Sequence, residues 1–242
     1  MGYNKYYENR HEQSDAMGVA TPFVKVMRNV YAWMTLGLLM TALTAVLVAS
    51  TPALIYAVVT NPFIFFGLMI AEIAMVLILS ARIGKMSSMT AGLMFALYAV
   101  LNGVTMSFIF LAYTMESIAA TFLTTACTFG GMTLVGYCTK KDLSTLGRTL
   151  YMLLIGLIIA TLVNFFVASS GLAVLLNYAG VLIFVGLTAY DTQKIKQMVQ
   201  VATAYGDEEQ TTKLALMGSL SLYLDFINLF LYLLRIFGRR NN

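Results

Sequence analysis

Glu72, Asp191 and Asp225 are the residues of this chain whose type and surroundings imply chemistry, because each lies in or at the edge of a long apolar run. Asp225 is the clearest: it sits in the middle of Leu214–Phe237, which holds no other charge before Arg235. An acidic side chain at the centre of a bilayer costs about 2.5–3.5 kcal/mol on insertion scales, so intramembrane acids face a partner or a water-filled path. Spacing supplies a partner. If the last two apolar runs form an antiparallel hairpin, residues equidistant from its tip share a depth. The midpoint of 191 and 225 is residue 208, inside the turn-like Gly206-Asp207-Glu208-Glu209. Each acid then stands about 25 Å from the tip, and the two can face one another inside a bundle.

Two carboxylates forced together cannot both ionise cheaply, so such a pair can hold a shared proton. Deprotonated, it repels itself and attracts cations; protonated, it closes through a hydrogen bond. Arg82, at the end of the second apolar run, is the basic residue best placed to compete for either acid. Its alternative role is a topology determinant that snorkels to the interface. Asp191 read alone is an interfacial residue that caps its helix or meets Lys194, and Glu72 is either one hydrogen-bonded buried acid or part of an ion path. Asn228 follows Asp225 by three residues and shares its helix face. Asn102 and Asn164, inside the third and fifth runs, fit interhelical hydrogen bonds.

The elements that must position these groups are membrane-length helices. Hydrophobic residues make up 60% of the chain and charged ones 11%, with a mean hydropathy of +0.80. A soluble domain is about 45–50% apolar and roughly 25% charged. Seven runs have the length to cross a hydrocarbon core, which takes about 20 residues: Val30–Ala49, Phe63–Ala81, Met89–Ala112, Ile118–Tyr137, Leu150–Ala168, Leu172–Tyr190 and Leu214–Phe237. The first begins too late and is too long for a cleaved signal peptide. Connections are short, with Pro52, Pro62 and Gly171 as punctuation. Asp191–Lys213 carries Ile195, Met198, Val199 and Ala202 at helical spacing, so the sixth run is expected to continue as a helix beyond the bilayer. Gly130, Gly131 and Gly136 are expected to be close-packing positions.

Lysine and arginine in short loops stay in the cytoplasm. Twelve of the fifteen fall in the tail (Lys5, Arg10, Lys25, Arg28), at 82–87, at 139–149 and at 191–213, and the three opposite loops hold none. The N-terminus is therefore expected in the cytoplasm of a cell, or inner, membrane. A seventh crossing would send Arg235, Arg239 and Arg240 outside, so the last run either crosses against the rule, the favoured reading, or re-enters. The net charge of +4 is a topology signal, and without a basic aromatic surface it offers nothing to nucleic acid. Cys127 and Cys138 lie about 16 Å apart on one expected helix, too far to bridge within it, and are expected to be packing residues. His11 is the only histidine, expected to be solvated in the polar tail, so a structural zinc site has too few ligands.

Three stretches resemble the Bax inhibitor-1, or transmembrane Bax inhibitor motif, family in its bacterial branch. They are Gly186-Leu-Thr-Ala-Tyr-Asp191-Thr-Gln-Lys-Ile-Lys, Leu222-Tyr-Leu-Asp225-Phe-Ile-Asn228-Leu-Phe and Val30-Tyr31-Ala-Trp33-Met34. The likeness runs over roughly residues 22–237. It implies an all-α integral membrane protein of seven transmembrane helices with the C-terminal helix central, and a pH-dependent calcium leak. It also implies a di-aspartyl proton sensor at Asp191 and Asp225, a latching arginine at Arg82 and a membrane acid at Glu72. Eukaryotic relatives restrain cell death, but this tail ends Arg239-Arg240-Asn-Asn without a long lysine run, so that role does not transfer. The expected organisation is a polar cytoplasmic tail over 1–28, one transmembrane domain over 29–238 and a short basic tail over 239–242.

On that reading calcium is the transported ion, bound weakly and transiently by Asp191 and Asp225, and no tightly held cofactor is expected. Calcium takes six to eight oxygen ligands, and two or three carboxylates with Asn228 and water make a loose site that suits a leak. Two readings from other classes compete. An intramembrane aspartyl protease also pairs two aspartates, the first in a Tyr-Asp pair, but its Gly-x-Gly before the second aspartate is replaced here by Ser221-Leu-Tyr-Leu. No proline follows Pro62 to form its Pro-Ala-Leu motif, and no enzyme is expected. An interaction protein that modulates a membrane protease or quality-control complex, through the charged tail Tyr3–Asp15, is the other alternative.

Overall fold

The computed structural model describes residues 3–205 and 208–241, with side chains from Phe23 onward except at 59, 65, 204 and 205. The expectations for His11 and for the side chains of the tail lie outside the described residues, as do Gly206 and Asp207 of the expected turn. Among the described residues there is no strand, and a lone β-bridge pairs Tyr113 with Arg240.

The helices are α1 (Tyr3–Ser50), α2 (Pro52–Thr60), α3 (Pro62–Arg82), α4 (Ser88–Met106), α5 (Ile109–Ala112), α6 (Met115–Cys138), α7 (Ser144–Val167), α8 (Ser170–Tyr205) and α9 (Glu208–Phe237), with a 3-10 turn at Ile83–Lys85. Seven stretches are long and apolar enough to cross a membrane: α1 from Phe23, α3 with its 3-10 turn, α4 with α5, α6, α7, α8 to Thr203, and α9. α8 runs past the expected apolar limit at Tyr190, as its helical periodicity predicts. α1 continues unbroken through residue 28.

Local chemistry sets the breaks. Pro52 and Pro62 open α2 and α3, where the missing amide hydrogen costs nothing and φ is preset. Asn61 caps α3 by accepting from the amides of Phe63 and Ile64 at 3.0 and 3.4 Å, and Ser87 and Thr114 cap α4 and α6. α2 occupies what the sequence shows only as a short connection: its nine residues are apolar and too few to display a period. The third span is interrupted between Met106 and Ile109, where the Ser107 hydroxyl donates to the Val104 carbonyl at 2.6 Å, a back-bond that bends helices. α7 ends at Ala168 with φ 52°, a left-handed conformation that costs a non-glycine about 1–2 kcal/mol. Asn164, expected between helices, closes this turn instead by accepting from the Ser169 amide at 3.1 Å.

α9 is the axis of the bundle. In its apolar window 67% of residues are buried, against 6% for α3 and 11% for α7, and it packs against α1, α4, α6 and α8. Because lipid tails are as apolar as leucine, helices associate in a membrane through close contact and hydrogen bonds. Gly136 lets α6 meet α8 at the Ala189 backbone, whereas Gly130 and Gly131 face open space, contrary to expectation. Gly180 accommodates the Tyr232 ring of α9. The fully buried Tyr223 hydroxyl lies 2.7 Å from that of Thr41, which donates to the Ala99 carbonyl at 2.9 Å, tying α9 to α1 and α4. Cys127 and Cys138 are free and exposed on the outside of α6; they are not packing residues.

The two ends of the bundle are tied differently. At one end Lys25 meets Glu208 at 3.6 Å, and Gln193 of α8 bridges the 139–143 loop by accepting from the Leu143 amide at 2.9 Å and donating to the Lys141 carbonyl at 2.8 Å. At the other, the segment after α9 lies along the turn before α6: the Thr114 amide donates to the Arg239 carbonyl, and the Asn241 amide to the Ala112 carbonyl. α9 is a continuous helix of 30 residues whose two ends reach opposite ends of the bundle, so it traverses the bundle and does not re-enter.

Candidate functional site

A cavity of about 660 Å³ lies among α3, α4, α7, α8 and α9. Asp191, Asp225 and Asn228 line it together, with Tyr98, Tyr151, Lys194, Ser221 and a mainly apolar remainder. Asp191 and Asp225 are each only 4% exposed. The hairpin of α8 and α9 thus brings both acids to one space, as their equal distance from its tip requires, and each is within electrostatic reach of the other.

The two acids are held unequally. The Tyr151 hydroxyl of α7 donates toward both oxygens of Asp191, at 3.1 and 3.4 Å, and Lys194 stands one turn along α8 at the rim. Asp225 Oδ2 is buried with no hydrogen-bond partner among the described residues. Buried threonine and serine hydroxyls on the two helices are committed to their own backbones: Thr188 and Thr192 donate to carbonyls of α8, Ser219 does the same in α9, and Asn228 Nδ2 donates to the Leu224 carbonyl at 2.8 Å. A buried polar atom without a partner costs about 1–3 kcal/mol. That arrangement leaves a carboxyl oxygen unpartnered at the wall of the cavity.

Glu72 does not line the cavity. It is half-buried on α3 and accepts from the Thr105 hydroxyl of α4 at 2.5 Å. Arg82 ends α3 exposed, and among the described residues the ion pairs are Lys25–Glu208 and Lys213–Glu209, so it makes none with either acid. No group of three or more His, Cys, Asp or Glu converges among the described residues; the cavity offers a cation two carboxylates, with amide and hydroxyl groups beside them. Tyr151 was missed in the sequence, where it stands among the leucines of the fifth run and only tertiary packing reveals that it faces Asp191. Tyr98 and Tyr232, also cavity residues, were hidden in the same way.

The family model described as inhibitor of apoptosis-promoting Bax1 matches residues 24–242. The chain belongs to the Bax inhibitor-1 family. Among curated proteins it is 51% identical over 215 residues to inner membrane protein YbhL of Escherichia coli K12, covering 88% of this chain and 91% of that relative. It is 44% identical over 218 residues to a Borreliella burgdorferi protein, covering 90% and 93%. To Rickettsia prowazekii protein RP147 it is 41% identical over 218 residues, covering 90% and 91%. This Bax inhibitor-1 family member is an all-α membrane protein, and a half-identical relative carries inner-membrane residence in its name.

Proposed function

We propose that this Bax inhibitor-1 family protein is a pH-sensitive calcium leak, in which cations pass beside α9 and proton sharing between Asp191 and Asp225 sets the flux. The observation that carries the reading is the unpartnered Oδ2 of Asp225, buried in the same cavity as Asp191. With both carboxylates charged, the cavity attracts a cation; with a proton between them, the charge falls and the two side chains close on one another. Calcium, as the transported ion, takes Asp191 and Asp225 briefly, with Asn228 and water completing its shell. Glu72 serves the pathway from the α3 side, and Arg82 reaches Asp191 only after movement of α3. Ions and protons move and no covalent bond changes, so the protein is not an enzyme and needs no bound cofactor.

The N-terminus lies in the cytoplasm on this reading. Lys25, the 139–143 loop and Glu208 share one end of the bundle, and the loops rich in lysine and arginine gather there, as the positive-inside rule requires. Calcium uptake by liposomes containing the pure protein tests the proposal. Flux falls as the pH is lowered across roughly pH 6–8, a window open to coupled acids, and Asp225→Asn flattens the profile. Equal flux in wild type and Asp225→Asn throughout that range would refute it.

A further inference from the structure

The cavity has a side entrance. Among the described residues α3 packs mainly against α4, with α9 met by the 3-10 turn that follows it, and the space between α3 and α7 is edged by Ile73 and Ile158, which are 56% and 54% exposed. In a seven-span bundle, exposed isoleucines at mid-helix face lipid. The acid pair is therefore reached from within the bilayer as well as along α9, by a passage walled with Val76, Leu154 and those isoleucines. Inside, the rings of Tyr98, Tyr151 and Phe184 line the same space.

Carboxylate, aromatic wall and apolar passage together describe a ligand. We propose that the cavity binds an amphiphilic organic cation, its ammonium donating to the unpartnered carboxyl of Asp225 and its apolar body lying in the passage between α3 and α7. A calcium ion needs six to eight oxygens converging on one point, whereas among the described residues no more than two acidic side chains come together here, so calcium can pass but has little to hold it. A protonated amine needs only a few acceptors, is attracted to aromatic faces, and favours apolar walls for the rest of its surface. The volume falls within the roughly 300–1,000 Å³ typical of small-molecule sites. Two positive charges border the cavity, Lys194 beside Asp191 with its ammonium 5.9 Å from the centre of the Tyr190 ring, and Arg235 over the ring of Tyr232 at 5.3 Å, and among the described residues neither makes an ion pair with Asp225. The inference uses the same two acids as the leak but does not require that calcium crosses.

Tritiated 1-adamantanamine, a compact lipophilic primary amine, is the probe, with neutral 1-adamantanol as its isosteric competitor. The full chain is held in phosphatidylcholine nanodiscs. Saturable binding is expected above that of empty nanodiscs, weakened by about tenfold or more in Asp225→Asn, as loss of a charge-assisted hydrogen bond predicts, and not displaced by the alcohol. Ile158→Trp places a large ring at an exposed position, leaves the core intact and should slow association several-fold. Binding no greater than in empty nanodiscs, or binding that is indifferent to Asp225→Asn or displaced equally by the alcohol, overturns the site; unchanged association in Ile158→Trp overturns the side entrance. Calcium uptake by phosphatidylcholine liposomes containing the same protein separates the two ideas. Amine binding without flux leaves this site standing and removes the leak, and flux without amine binding does the reverse.

Discussion

α3 and α9 each carry one acid at membrane depth, and they treat it in opposite ways. α3 lies at the edge of the bundle, yet its Glu72 is satisfied by the Thr105 hydroxyl of α4. α9 is the most buried span, where an isolated charge costs most, yet Asp225 keeps an oxygen with no partner among the described residues. Burial alone would predict the reverse. The peripheral acid is part of the structural frame between two helices; the central one is kept in a state that lowers stability, which is how binding and switching groups are commonly held.

The sharpest way to break this contrast is thermodynamic. Asp225→Leu should raise the unfolding free energy by about 1–3 kcal/mol, the cost of an unsatisfied buried polar group, while abolishing pH-dependent calcium flux; a loss of stability on denaturant titration would mean that Asp225 is satisfied. Glu72→Leu should move the other way, lowering stability by about 1.5–3 kcal/mol, the worth of a hydrogen bond to a charged group, and a stabilised variant would erase the distinction between the helices. Tyr151→Phe removes the donor that holds Asp191, so a loss of about 1 kcal/mol is expected, with a shifted pH of half-maximal flux in liposomes; an unchanged profile would show that Asp191 is not the responding partner.

The smallest effect belongs to an acid outside the membrane. Asp142 accepts from the Ser144 hydroxyl at 2.6 Å and its amide at 2.9 Å, and these bonds, the hydroxyl first, hold its carboxyl below the usual carboxylate range. Its depressed folded value means the stabilisation is complete above the free aspartate value of about 3.9 and is lost as the pH falls through the lower one. Asp142→Ala should leave flux at neutral pH unchanged and abolish only this acid-dependent loosening at the start of α7, read by hydrogen exchange. A change in flux would extend the functional region beyond the two central helices.

Much of this arrangement was legible because it depends on long, regular signals. Seven apolar runs, the extension of α8 beyond Tyr190 and the equal depth of Asp191 and Asp225 all follow from length and period. What needed coordinates was direction. A cysteine or glycine in an apolar helix reads the same whether it faces lipid or a neighbour, so Cys127, Gly130 and Gly131 were placed inward when they face out, while Gly136 was placed correctly. Asn164 was expected between helices because the sequence, which ends the run at Ala168, does not show that the Asn164 side chain turns onto the Ser169 amide. Tyr151 carried no signal, being one ring among apolar neighbours. The short α2 and the break at Ser107 fell below the length over which a helical period can be recognised.

α9, the innermost span, also follows the other six in the chain. Translation therefore delivers the surrounding helices to the membrane before the one they enclose, and until it arrives Tyr98, Leu187 and the Thr41 hydroxyl have no central helix to meet. The segment that completes assembly is the one bearing Asp225, whose insertion into lipid would be costly unless a prepared interior received it. The order of the chain thus leaves the centre of this fold to be filled last.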